Sequence, residues 1–297
     1  MKIYVIAPGF PCEKNHLKNA IQLLRGQGHE VVVPKGLFGK DLLCANSLDH
    51  RIEHFRQALN SDAQVIWCVR GGYGCIEQLA ALKKFKKPGQ SKLIWGYSDI
   101  TALHSFFVNQ WGWSVMHGPV LDGVGTEGRI TKASLRSAYD YLNGGKKNII
   151  FKNLKPLNSL ARIQRVIKSK LAGGNLATLS SLCGSEFQWN FKGKILFLED
   201  IGERGYKVDR MLNQLLLSGS LNGVRAIVFG EFIGAKEPGG TSKVSKVLLN
   251  WSGKLKIPVL MGLKLGHGKN QPALPVNTKC ELQLGSKAQL KAQYEYI

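Results

Sequence analysis

Strand-like and helix-like segments alternate along the first 110 residues of this 297-residue chain, and this alternation constrains the fold more than any other feature. Short apolar runs cover residues 2–7, 30–33, 64–69 and 92–95, and segments of helical period separate them. Strands joined by helices at this rhythm form βαβ units and a mainly parallel sheet covered on both faces. We therefore predict an α/β fold whose ligands bind beyond the carboxyl ends of the strands.

The pattern changes near residue 145, where turn-forming and basic residues interrupt it. We expect an N-terminal α/β domain over residues 1–145, a linker over 146–165 and a smaller C-terminal domain over 166–297. Strand-like runs are more frequent in the C-terminal half, so we predict a β/α domain there.

The composition restricts the partners of the chain. Lys and Arg number 41 against 20 Asp and Glu, which gives a formal net charge of +21 and favours anionic ligands. The basic residues are scattered and form no nucleic-acid-binding motif, so we expect no specific nucleic-acid partner. No apolar run approaches the ~20 residues of a membrane span, and the N-terminal apolar stretch is shorter than a secretory signal. We therefore expect a cytoplasmic protein.

A serine stands where a strand meets a helix. The apolar run at residues 92–95 leads into Gly96, Tyr97 and Ser98, and a helical pattern begins at once. A hydroxyl at such a joint lies above the sheet, and the first helical amides can stabilise an oxyanion there. Ser98 could equally be a plain N-cap of the helix.

Three further segments carry candidate chemistry. Residues 70–74 (RGGYG) follow a strand, and their glycines could supply backbone donors or form a simple turn. Glu199 and Asp200 follow an apolar strand, where a carboxylate can orient a histidine or be solvated. His267 lies between two glycines, which leaves its ring accessible for chemistry.

The sequence predicts no metal site and no cofactor. The segment at residues 50–54 (HRIEH) fits a zinc-peptidase pattern, but no further ligand lies near it, and we interpret it as a polar helix face. Residues 70–74 lack the Gly-Lys-Ser/Thr of a phosphate-binding loop.

Taken together, these motifs resemble the murein LD-carboxypeptidases, the muramoyltetrapeptide carboxypeptidases, a family of serine peptidases that also includes the microcin C self-immunity proteins. The resemblance spans nearly the whole chain in order. The segments that carry it are residues 70–74, 96–103, 117–119, 173–176, 198–203, 206, 209–212 and 266–268.

The resemblance implies a catalytic triad of Ser98 as nucleophile, His267 as general base and acid, and Glu199 as the orienting carboxylate. It implies an oxyanion hole from the amide of Asp99 and that of Gly71 or Gly72. It also implies a flavodoxin-like or amidotransferase-like N-terminal domain that carries Ser98, and a swivelling C-terminal β/α domain that carries Glu199 and His267. We add Arg70 and Tyr73 as candidate contacts to the substrate.

The activity that the resemblance implies is release of terminal D-alanine from murein tetrapeptides during peptidoglycan recycling, by a cytoplasmic homodimer. One alternative is an immunity-type peptidase that cleaves acyl-nucleotide conjugates. Another is a non-catalytic protein that binds murein peptides or nucleic acid. One position departs from the family pattern, because Gly9 stands where a small polar residue usually follows the first strand.

Overall fold

The computed structural model describes residues 1–296, and the chain divides into two compact units. The first unit contains residues 1–145 together with 272–274 and 295–296, and the second contains residues 146–271 and 275–294. No helix within residues 1–296 is long and apolar enough to cross a membrane.

The first unit alternates strands and helices as the sequence predicts. Its elements are β1 (Lys2–Ile6), α1 (Lys14–Gly26), β2 (Glu30–Val32), α2 (Leu48–Asn60), β3 (Val65–Cys68), α3 (Leu79–Leu82), β4 (Leu93–Gly96), α4 (Thr101–Trp111), β5 (Val115–His117), α5 (Leu121–Val124) and α6 (Lys132–Leu142). Short 3-10 turns precede α3 at Ile76–Gln78 and α4 at Ser98–Ile100.

The first sheet is parallel from β1 to β5, in the order β2-β1-β3-β4-β5, and a late strand, β12 (Leu274–Val276), completes its edge beside β5. Strands β3, β4 and β5 are buried on both faces, and Trp67 and Trp95 stack at 4.3 Å between ring centroids. Because the strands are parallel, the segments that follow β1, β3 and β4 meet at one carboxyl edge. The predicted α/β fold is confirmed.

The second unit contains a larger mixed sheet. Its elements are β6 (Asn148–Phe151), β7 (Lys155–Pro156), α7 (Ser159–Arg162), β8 (Val166–Asn175), α8 (Leu176–Ser181), β9 (Ile195–Ile201), α9 (Gly205–Leu217), β10 (Ala226–Ile233), α10 (Val244–Lys254), β11 (Val259–Met261), β13 (Lys279–Gln283) and β14 (Gln289–Gln293). The strand order is β6-β14-β13-β8-β9-β10-β11-β7. Strands β8 to β11 are parallel, which places the carboxyl ends of β9 and β10 side by side.

Residues 146–165, which we expected to be a linker, form regular secondary structure. Residues 146–165 contain β6, β7 and α7 and belong to the second unit, which is consequently close in size to the first rather than smaller. Strand β6 pairs with β14, which lies some 140 residues later in the chain, in a register that joins Ile150 to Lys291. A strand that depends on so distant a partner leaves little local pattern in its own sequence.

Candidate active site

Ser98 adopts a strained backbone conformation at the carboxyl end of β4. Its φ is +66°, in the left-handed region that L residues other than Gly, Asn and Asp seldom adopt. The turn also needs Gly96, because a Cβ there would lie 2.8 Å from Cγ1 of Ile100. An N-cap residue has extended backbone, so the geometry of Ser98 is that of a nucleophile elbow and not that of a plain cap.

Gly71 packs directly against this serine. A Cβ at Gly71 would lie 3.0 Å from Cβ of Ser98, 3.1 Å from the carbonyl oxygen of Tyr97 and 3.3 Å from Oγ of Ser98. Gly72 follows with a φ of +93°, and a Cβ there would meet the ring of Phe10. Gly71 thus brings bare backbone next to Ser98, as an oxyanion hole at this serine would require.

The departure at Gly9 has a steric reason. A Cβ at Gly9 would lie 2.3 Å from the carbonyl oxygen of Gly71. The same carbonyl accepts a hydrogen bond from the amide of Phe10 at 2.8 Å. The loop after β1 can therefore approach the glycine loop closely only without a side chain at Gly9.

Two buried charged side chains hold the glycine loop in place. The carboxylate of Asp99 accepts a hydrogen bond from the amide of Cys75 at 2.9 Å, which ties the end of the loop to the nucleophile turn. The guanidinium of Arg51 donates to the carbonyls of Pro8 and Gly74 at 2.9 and 2.8 Å. Burial raises the pKa of Asp99, and the Cys75 amide opposes that shift. Asp99 thus has a side-chain role besides the backbone role predicted for it.

Arg70 and Tyr73, the two predicted substrate contacts, flank the glycines at the same edge and are both partly exposed. The side chain of Arg70 is 49% exposed, donates to the carbonyl of Pro11 at 3.3 Å and lies 3.8 Å from the carboxylate of Asp122. Tyr73 is 41% exposed. Both side chains can therefore meet a ligand at this edge of the first unit.

In the second unit, His267 and Glu199 form a buried pair. Nδ1 of His267 lies 2.7 Å from Oε2 of Glu199, and the two side chains are 8% and 0% exposed. Glu199 lies near the carboxyl end of β9, in register with Asn175 of β8. A carboxylate that accepts from Nδ1 fixes the ring and leaves Nε2 as the basic nitrogen.

The loop that carries His267 is clamped to β10 by Glu231. The amide of Glu231 donates to the carbonyl of Leu265 at 2.8 Å, and its carboxylate accepts from Nδ2 of Asn270 at 3.0 Å. Gly266 and Gly268 leave room for this clamp, since a Cβ at either would lie within 3.0 Å of Glu231 atoms. Glu231 is not among the predicted site residues, although an acidic residue near the carboxyl end of the strand beside β9 could have indicated it.

Asp200 accepts hydrogen bonds at the start of α8. Its carboxylate accepts from Nδ2 of Asn175 at 3.0 Å and from the amides of Ala177 and Ile201 at 2.9 and 2.8 Å. Burial, with the nearby charge of Glu199, raises its pKa to about 6. Of the two acids after the strand, Glu199 therefore orients the histidine and Asp200 holds the start of α8.

The histidines of residues 50–54 lie apart from these groups. His54 is buried rather than on a polar helix face, and its Nε2 contacts the carbonyl of Lys35 at 3.2 Å. Nδ1 of His50 lies 2.8 Å from the hydroxyl of Ser47. Within residues 1–296, no group of three or more His, Cys, Asp or Glu side chains could hold a metal ion.

The predicted site residues thus fall into two groups. The first group lies at the carboxyl edge of the first sheet and consists of Ser98, Asp99, Gly71 and Gly72. Arg70 and Tyr73 flank the glycines in sequence. Glu199 and His267 are in direct contact in the second unit. Each group holds part of what acyl transfer requires: a nucleophile with backbone donors in one, an oriented base in the other.

Comparison with known proteins identifies the family. Residues 3–118 match the family model of the LD-carboxypeptidase N-terminal domain, and residues 168–282 match that of the LD-carboxypeptidase C-terminal domain. The chain is 31% identical over 290 residues to a probable murein peptide carboxypeptidase of Bacillus subtilis, with 95% of this chain and 89% of that protein covered. It is 27% identical over 293 residues to the murein tetrapeptide carboxypeptidase of Pseudomonas aeruginosa, with 95% and 93% covered.

Solved structures agree with this assignment. The muramoyltetrapeptide carboxypeptidase of Oxalobacter formigenes is 28% identical, with a TM-score of 0.83 over 100% of this chain and 99% of that one. The microcin C7 self-immunity protein MccF in complex with aspartyl sulfamoyl adenosine shares the fold at a TM-score of 0.85 and 21% identity, over 100% and 96% of the chains. In sequence, MccF of Escherichia coli is 25% identical over 307 residues, with 95% of this chain and 89% of that protein covered. The chain therefore belongs to the LD-carboxypeptidase family of serine peptidases.

Proposed function

We propose that this protein hydrolyses the amide bond between an L-configured centre and the terminal D-alanine of murein tetrapeptides. The observation that carries the proposal is the buried pair of His267 and Glu199, at 2.7 Å between Nδ1 and Oε2. A buried carboxylate on Nδ1 serves to hold a histidine as a general base. The strained turn at Ser98 supports a matching role as nucleophile.

In the first step, Ser98 attacks the carbonyl carbon of the scissile amide while Nε2 of His267 takes the hydroxyl proton. The side chain of Glu199 holds the Nδ1 proton and stabilises the imidazolium that forms. The negative charge on the tetrahedral oxygen is bound by the amide of Asp99 and that of Gly71 or Gly72. Such donors act most strongly when they are fixed before the reaction, and the bonds of Asp99 and Arg51 supply that rigidity.

In the second step, His267 returns the proton to the leaving nitrogen, and D-alanine departs from an acyl-enzyme on Ser98. A water molecule then gives a proton to His267 and attacks the ester carbonyl, which releases the tripeptide and restores the serine hydroxyl. The cycle consumes one water and releases one D-alanine per peptide. It needs no metal ion.

The substrate class is supported by the relatives and by charge. Proteins at 27–31% identity in Pseudomonas aeruginosa, Oxalobacter formigenes and Bacillus subtilis are named for murein peptides. Murein tetrapeptides carry several carboxylates, and the net charge of +21 attracts such ligands. We further propose that the protein acts in peptidoglycan recycling in the cytoplasm, as a homodimer. Sedimentation equilibrium tests the dimer.

The second candidate function is cleavage of acyl-nucleotide conjugates. The observation that favours it is the similarity to MccF over nearly the whole chain, at 25% identity. The same serine, histidine and glutamate would perform this reaction, with a nucleotide conjugate in place of the peptide. Relatives named for murein peptides are more similar to this chain, at 28–31% identity, than MccF is at 25%. The murein substrate is therefore the first candidate.

The test separates these candidates in one assay. The purified protein is incubated with a murein tetrapeptide ending in D-alanine, with the same peptide ending in L-alanine, and with an aminoacyl sulfamoyl adenosine. We expect mass spectrometry to show the loss of one alanine from the first substrate alone. Cleavage of the nucleotide conjugate alone would favour the second function, and no cleavage of any substrate would reject both.

A further inference from the structure

A polar cavity of about 540 Å³ lies in the first unit, next to the glycine loop. It is open to one side and contains both acidic and basic side chains. Its polar lining consists of Cys12, Glu13, His16, Arg70, Asp122, Thr126 and Arg129. Two guanidinium groups and an imidazole that face one cavity are typical of a site for an anion.

Asp122 organises the wall of this cavity. One carboxylate oxygen lies 2.8 Å from Nδ1 of His16, and the other lies 3.8 Å from Nε of Arg70. The amide of Asp122 donates to the carbonyl of Val69 at 2.9 Å, which fixes the residue to the end of β3. Asp122 thus uses both oxygens to hold the side chains of His16 and Arg70.

Donors remain for a ligand. Within residues 1–296, the guanidinium of Arg129 makes no ion pair with a carboxylate, and Nη2 of Arg70 has no protein partner. The cavity also faces the first turn of α1, whose N-cap residue Glu13 forms no side-chain cap. These groups are hydrogen-bond donors of positive or partly positive charge, the set that binds a carboxylate.

The thiol of Cys12 is not a reactive group in this cavity. Burial, aided by the charge of Asp122, raises the pKa of Cys12 to about 12, and its Sγ donates to the carbonyl of Glu13 at 3.4 Å. A neutral thiol is a poor nucleophile and a poor metal ligand. A ligand of this cavity would therefore be held by its guanidinium groups and not attacked by the thiol.

Two segments that line the cavity adjoin residues that contact Ser98 or the glycine loop. Arg70 directly precedes Gly71, which packs against Ser98. Pro11 and Cys12 follow Phe10, whose amide bonds the carbonyl of Gly71. A peptide whose scissile bond lies at Ser98 could therefore extend a charged group into the cavity.

We infer that this cavity is the subsite for a substrate carboxylate, with Arg129 and Arg70 as the residues that bind it. The inference rests on the proposed function for the identity of the substrate. Two carboxylates of a murein tetrapeptide fit this chemistry, the one on the terminal D-alanine and the one on the side chain of the residue before it. Both have the bidentate geometry that a guanidinium recognises.

The test measures binding separately from turnover. In a Ser98→Ala background, isothermal titration calorimetry compares three peptides: the tetrapeptide, its terminal D-alanine amide, and the peptide amidated on the side chain before the scissile bond. Arg129→Gln is the test variant. Lys84→Gln is the matched control, because Lys84 is exposed between α3 and β4 at the opposite edge of the sheet. Glu13→Gln removes the competing carboxylate of the cavity.

We expect Arg129→Gln to weaken binding of the tetrapeptide about tenfold, as the loss of one charge-assisted hydrogen bond predicts. One of the two amides should bind the parent and the variant equally, and that peptide identifies the carboxylate. Glu13→Gln should strengthen binding, and Lys84→Gln should leave it unchanged.

Equal weakening of all three peptides by Arg129→Gln would overturn the inference, and so would unchanged binding of the tetrapeptide. Failure of the proposed function appears in a different measurement, as a wild-type protein that binds the peptide and releases no D-alanine.

Discussion

Nδ1 of His267 lies 2.7 Å from Oε2 of Glu199, and glycines on both sides of the histidine let its loop approach β10. The glutamate is fully buried at the end of β9, so its charge acts on the imidazole with little screening by water. The geometry makes Glu199 the residue that sets the tautomer and the direction of the ring.

Replacing Glu199 by glutamine should lower kcat by about 10³- to 10⁴-fold, because an amide favours the wrong imidazole tautomer and cannot stabilise the imidazolium. KM should change little. The measurement is steady-state D-alanine release with a coupled assay. A loss of less than tenfold would show that Glu199 does not orient the base.

Gly71→Ala should lower kcat with little change in KM. The added methyl would lie 3.0 Å from Cβ of Ser98 and 3.1 Å from the carbonyl of Tyr97, so the loop or the serine must shift. The loss of one oxyanion donor costs about 10²- to 10³-fold in kcat. Gly89→Ala is the matched control, since nothing lies within 4 Å of its Cβ position and neither glycine has a positive φ. Equal activity of both variants would contradict this role of Gly71.

Glu231→Ala should lower kcat about tenfold to hundredfold, because the histidine loop loses the bond between Asn270 and the carboxylate. Glu231→Gln keeps an acceptor for Asn270 and should retain most of the activity. A purely electrostatic role would instead make both variants equally slow. Glu281→Ala is the control, since Glu281 pairs with Lys168 at the surface of the same unit.

The stability of the second unit should depend on the protonation of Asp200. Burial raises its pKa from 3.8 to about 6, so the folded state holds this proton more tightly than the unfolded state does. The resulting stabilisation is complete below the unfolded pKa and is lost as the pH rises through about 6. Relative to Asp200→Asn, the wild-type free energy of unfolding should fall by up to about 3 kcal/mol between about pH 4 and about pH 7. The free energies of unfolding of the wild type and of Asp200→Asn are measured by urea denaturation over this pH range. If the two changed with pH in the same way, the raised pKa of Asp200 would be contradicted.

Local patterns in the sequence predicted the first unit well. Its strands carry their own signal, because a buried parallel strand such as β3 is a continuous apolar run and a helix such as α1 has one apolar face. The joint at Ser98 was visible for the same reason: a strand, a glycine and a helix stand next to each other in the chain. The open choice between an N-cap and a nucleophile elbow needed the φ of Ser98, which no sequence pattern reports.

Features that depend on distant partners could not be predicted from the sequence. Strand β6 forms by pairing with the distant β14, and its own sequence carries little strand pattern. Residues 146–165 were therefore predicted to be a linker. Arg51 stands in a polar segment, and its burial follows from the carbonyls of Pro8 and Gly74, which the fold brings to it. The contact of His267 with Glu199 joins residues 68 positions apart and became an expectation only through the resemblance to a family.

The most direct test of the account is the fate of a murein tetrapeptide with the wild-type protein, with Ser98→Ala and with Ser91→Ala, where Ser91 is an exposed serine of the same unit. We predict that mass spectrometry shows D-alanine release by the wild type and by Ser91→Ala, and none by Ser98→Ala. Acid quenching of the wild-type reaction should leave the tripeptide acyl group on Ser98. Release of D-alanine by Ser98→Ala at the wild-type rate would contradict the account.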